Sequence, residues 1–200
     1  MEKLSVNLRV KKDLIKEYRL DEVVKDNTIR SNIAFALQYI HFNLDILENY
    51  DLQKSLKALT CKQLLVNTFS VLEGIMLGAI DTVKTWCNSI TSCQYACEYY
   101  FMKDTTEFIR FDEMKSYLRN IGALDFSEQG MKFIKTAKGL RNNVHIGKSS
   151  EIESENVDYN TEFVEESLRT IEEVAGVLAD FMKNQRNKNP QSCLTDRFSG

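Results

Sequence analysis

Apolar residues between Leu64 and Trp86 recur every three or four positions, and that spacing constrains the fold more than any other feature of the chain. Leu65, Phe69, Leu72, Met76, Ala79, Val83 and Trp86 form one stripe, which Leu64, Ile75 and Ile80 widen. Such a period belongs to a helix, and a helix apolar over so much of its circumference belongs at the centre of a bundle. One proline and eight glycines in 200 residues leave few breakers. No stretch shows the two-residue alternation of a strand. The expected fold class is all-α, an up-and-down helical bundle with additional N-terminal and capping helices.

The rest of the chain divides around this element. Residues 1–28 read as an N-terminal helical appendage, with a weak apolar stripe from Leu8 through Leu14, Ile15 and Tyr18 to Val23. Residues 29–182 read as the bundle. Ile33, Ala36, Leu37, Ile40, Leu44 and Leu47 repeat at the helical period over Ile29 to Leu47, and Asp51 to Ala58 reads as a connection or short lead-in. Cys87 to Thr106 has no clean period and reads as an irregular cap. A short helix is expected from Phe111 to Ile121, stopped by Gly122. The next opens at Asp125 or Ser127 as N-cap and runs to Gly147. The last spans Glu162 to Met182, with Phe163, Leu168, Ile171, Val174, Leu178 and Phe181 inward. Residues 183–200, polar and holding Pro190, read as a mobile tail.

A formal charge of −3 excludes a polycationic nucleic-acid binder. The charge is divided, however. Residues 127–150 hold Lys132, Lys135, Lys138, Arg141 and Lys148 against Glu128, a net of +4, whereas 151–182 hold ten acids against Arg169, a net of −9. Five cysteines (Cys61, Cys87, Cys93, Cys97, Cys193) make an odd number, and Met-Glu-Lys-Leu-Ser begins no secretion signal, so a reducing cytoplasm is expected. No Cys-x-x-Cys supports a metal site. No apolar run is expected to reach the ~20 residues that cross a bilayer.

Within the basic segment lies Gly139-Leu140-Arg141-Asn142-Asn143-Val144-His145, which carries one of only two histidines. His145 follows Arg141 by four positions, so on a helix both fall on one side. Helical projection places Phe133, Ala137, Leu140 and Val144 on the core face, with Arg141 and His145 just outside it. An imidazole moves protons near neutral pH, and a guanidinium holds phosphate through its planar fork. The other reading of the pair is electrostatic, since cations near a helix C-terminus complement its dipole. His41, flanked by Ile40 and Phe42, reads as a structural histidine. Glu73, on the apolar central helix, needs a cation.

Arg141-Asn142-x-x-His145 resembles the signature of the HEPN superfamily of small all-helical proteins, and Val71-Leu72-Glu73-Gly74 is similar to that family's earlier helix with an acidic residue in a Leu-Glu context. Three residues separate Arg141 from His145, where the usual minimum in the family is four. The resemblance implies a metal-independent endoribonuclease, a toxin or phage-defence effector that leaves a 2′,3′-cyclic phosphate, needing no cofactor. Arg141, Asn142 and His145 would then be catalytic, Glu73 would support Arg141, and Lys135, Lys138 and Lys148 would hold RNA. It also implies a homodimer whose two motif faces share a cleft, and an antitoxin or other defence-system protein as partner. The alternative is a non-catalytic HEPN-like dimeric scaffold that binds a partner protein or nucleotide. A helical sensor using its thiols is a third reading.

Overall fold

The structure is a computed structural model that describes residues 8–88, 110–142 and 159–187. Among the described residues every regular element is a helix: α1 (Lys11–Glu17), α2 (Leu20–Val23), α3 (Asn27–Asn49), α4 (Lys54–Asn88), α5 (Phe111–Asn120), α6 (Glu128–Asn142) and α7 (Thr161–Asn187). The all-α expectation holds.

At the centre lies α4, which packs against α2, α3, α5, α6 and α7. Leu64, Leu65, Leu72, Ile75, Met76, Ala79 and Ile80 are fully buried along it, and Phe69 nearly so. The helix is longer than the apolar stripe, because it begins at Lys54 where a connection was expected. Leu56 and Leu59 in that first stretch remain exposed, so the core stripe did not register its start. The expectation about membrane-length runs needs correction. Lys54–Thr85 is long and apolar enough by length and composition to cross a membrane, and 61% of its most apolar stretch is buried inside the protein. The core helix of a bundle meets the same two criteria.

Residues 8–24 form two short helices instead of one. Arg19 adopts a left-handed conformation (φ 49, ψ 33) between them. The break has a packing cause. Leu14, Tyr18, Leu20, Val23 and Val24 are all buried, and a straight helix would spread them over about 220° of its circumference. Turning the chain at Arg19 brings them into the same core cluster as the rest of the protein. The Arg19 side chain helps hold the turn: it donates to Glu22 through Nε and Nη2 at 2.8 and 2.9 Å and pairs with Asp180 of α7 at 2.9 Å.

Helix ends follow ordinary capping chemistry. Asp26 Oδ1 accepts from the Ile29 amide at 2.8 Å, and Asn160 Oδ1 from Phe163 at 2.7 Å. Ser127, one of the two candidate caps for α6, accepts from the Gly130 amide at 3.1 Å. Gly122 has φ 66 and terminates α5 as a C-terminal turn, with the Ala123 amide donating back to Leu118 O at 2.8 Å. Helix α7 runs to Asn187, five residues into the segment expected as a tail. Most of the irregular cap expected at 87–106 lies outside the described residues, as does 188–200.

Candidate functional site

The first four residues of the motif, 139–142, lie on α6; 143–145 lie outside the described residues. That helix buries Gly130, Phe133, Ile134 and Ala137 against its neighbours α4 and α7. Around the axis these residues span about 100°. The buried stripe is therefore wider than the core face expected from sequence, because Ile134 belongs to it. Position 141 follows Ala137 by four residues and Ile134 by seven, so the backbone places it within this stripe, where the sequence projection put it just outside. Arg141 and Asn142 are the last described residues of α6; their side chains, with His145 and Lys148, lie outside the described residues.

Glu73 sits half-buried on α4, the helix against which α6 packs directly. The two elements expected to carry the acidic and basic halves of the site are thus neighbours. The expected pairing of Glu73 with Arg141 turns on a side chain outside the described set.

The basic residues on α6 divide in their surroundings. Lys135 is exposed. Lys132 lies 5.5 Å from the centre of the Phe163 ring in α7, a cation–π contact. Lys138 Nζ donates to Asp112 Oδ2 of α5 at 2.5 Å. That hydrogen bond holds the Asp112 carboxyl below its ordinary value. Asp112 was invisible to a count of charge along the segment, since it stands 26 residues away from Lys138 in sequence. The positive patch is correspondingly weaker around Lys138 than the segment's +4 implies.

A second group of titratable side chains gathers at the N-terminal end of the fold. His41 of α3 is half-buried, with the Tyr18 hydroxyl 3.3 Å from its Nε2. Arg9 Nη1 lies 3.1 Å from Nε2 and 3.4 Å from Nδ1. Closeness to both ring nitrogens at once places the guanidinium over the ring face, a stacking contact more than a linear hydrogen bond. Arg9 also pairs with Glu17. Burial, followed by the Arg9 charge, holds the imidazole below its ordinary value, against opposing influence from Glu17 and Asp45. Burial, with Glu17 and Glu172 nearby, pushes the Tyr18 phenol well up. These groups fasten the chain before α1 to α3; Gln38 Nε2 adds a bond to Arg9 O at 2.5 Å.

Among the described residues no group of three or more His, Cys, Asp or Glu is arranged to hold a metal ion. Cys61 is a buried free thiol whose burial raises its pKa, which suits packing and disfavours thiolate chemistry. No family model, curated protein or solved structure matches the chain.

Proposed function

We propose that the protein is an HEPN-like, metal-independent endoribonuclease, a cytoplasmic toxin or phage-defence effector that cleaves RNA to a 2′,3′-cyclic phosphate end. The observation that supports this reading is the direct packing of α6, which carries Arg141-Asn142, on the α4 helix that bears half-buried Glu73. The backbone of α6 puts position 141 on its buried stripe; a guanidinium entering such a stripe needs a carboxylate partner, and Glu73 is a carboxylate on the adjacent helix.

In this mechanism His145 removes the proton of a ribose 2′-hydroxyl, whose oxygen attacks the adjacent phosphorus as the bond to the 5′ oxygen breaks. The leaving oxygen takes a proton from a second group. Arg141 stabilises the charge that builds on the phosphate oxygens, and Asn142 orients the imidazole or donates to phosphate. Lys135 and Lys148 hold the flanking backbone, with Lys138 doing so only after release from Asp112. One histidine supplies one proton-transfer group, so pairing two chains at the motif face supplies both base and acid. An antitoxin or other defence-system protein would restrain it.

One observation favours the second reading, a dimeric HEPN-like scaffold that binds a partner protein or nucleotide: Lys138 is engaged by Asp112, which lowers the positive charge available to RNA. The test is incubation of purified protein with mixed RNA in EDTA beside His145→Ala. Cleavage that requires His145 supports the nuclease; intact RNA with a stable wild-type chain overturns it and leaves the scaffold.

A further inference from the structure

Helix α3 presents two opposite faces. Ile33, Leu37, Ile40 and Leu47 are buried against the protein, whereas Phe35 and Tyr39 on the other side are 63% and 45% exposed. Phe42 and Ile46 continue that outward row and are only half-buried. The spacing 35, 39, 42, 46 alternates four and three residues, the seam by which one helix packs along another. Leu8 and Val10, each 59% exposed, extend the row beside Phe35, since Arg9 O between them accepts from Gln38.

The charges on this face are unusual. Residues 31–44 (SNIAFALQYIHFNL) contain no Lys, Arg, Asp or Glu, although 28% of the whole chain is charged. A solvated helix face drawn from fourteen residues would carry about four. Aromatic side chains with charges pushed to the ends are the composition of an interface centre. The ends differ in sign. Lys11 Nζ lies 5.2 Å from the centre of the Phe35 ring, and Asp45 stands exposed beside Ile46. Among the described residues neither charge has an ion-pair partner.

We propose that the outer face of α3 is a two-fold interface with a second copy of this chain, the two α3 helices packed antiparallel. In that arrangement Phe35 meets the second copy's Ile46, and Tyr39 meets its Phe42. A two-fold axis perpendicular to both helices keeps corresponding flanks together, so Lys11 faces Asp45 of the other chain, twice. Parallel packing brings the two Lys11 ends together and leaves both Asp45 carboxylates unpaired. The row is self-complementary only in the antiparallel sense. This surface is separate from the motif face, because α6, not α3, carries Arg141; it stands whether or not the chain cleaves RNA.

Sedimentation of the full chain at tens of micromolar tests the proposal. Phe35→Glu with Tyr39→Glu should halve the assembly's mass while circular dichroism stays unchanged, since both side chains are exposed. Lys11→Glu and Asp45→Lys should each weaken association by about two- to thirtyfold, the range for exposed pairs counted twice. The two together should restore it, because each reversed charge would again face its opposite across the interface. A wild-type chain that remains a monomer, a mass unmoved by the glutamates, or charge reversals that add instead of cancelling would overturn it.

Discussion

Gly78 of α4 lies against Val24: a β-carbon built at position 78 would stand 2.7 Å from both Val24 γ-carbons. Val24 is fully buried and β-branched, so it cannot turn aside. One turn earlier, a β-carbon on Gly74 would meet Ile33 Cγ1 at 3.1 Å. The two glycines let α3 and the chain entering it approach the central helix. Thr82, one turn beyond, completes the contact by donating to Val23 O at 2.8 Å.

Gly78→Ala should therefore destabilise the protein despite alanine's better helix propensity. Overpacking costs about 1–3 kcal/mol, and the propensity gain returns roughly 1. Gly176 of α7 has open space where its β-carbon would go, so Gly176→Ala should stabilise by about 0.5–1 kcal/mol. Urea denaturation of the two variants checks the contrast in sign.

Leu72, fully buried on α4, should cost about 2–5 kcal/mol on truncation to alanine. The readout is again the urea midpoint. A loss below about 1 kcal/mol would place the residue at a site able to collapse around the gap, contrary to a central position.

His41 sets a pH dependence with a definite sign. Its folded-state pKa is depressed, so the stabilisation it gives is present above the unfolded value and is lost as pH falls through the folded one. Protonation there places a second cation against Arg9. Between about pH 7.5 and about pH 5 the Tm of the wild-type chain should fall further than that of His41→Gln. Equal falls would show that the Arg9–Tyr18 surroundings do not discriminate between the two ring forms.

What could be read in advance depended on whether its cause was local. Helices α3 to α7 were legible because their inward residues recur at 3.6, and Gly122 and Ser127 marked ends by chemistry confined to a few residues. The break at Arg19 was not. The left-handed turn is held partly by Asp180, a residue of the last helix, and no pattern in 8–24 announces it. The site behaved likewise. That Arg141 and Asn142 lie on a helix followed from the local repeat, but the place of position 141 on the buried stripe required knowing that Ile134 faces inward. The pairing of Lys138 with Asp112 joins α6 to a residue of α5, which spacing within one helix does not reveal.

The most direct measurement is the chemistry of the RNA ends produced by the purified chain in EDTA. The expected ends are 2′,3′-cyclic phosphates, made at a rate that falls by about 100-fold or more in His145→Ala, the scale of one lost proton-transfer group. Arg141→Ala should fall similarly while both variants keep their helical content. Ends bearing a 3′-hydroxyl, or cleavage equally fast without His145, would contradict the nuclease reading.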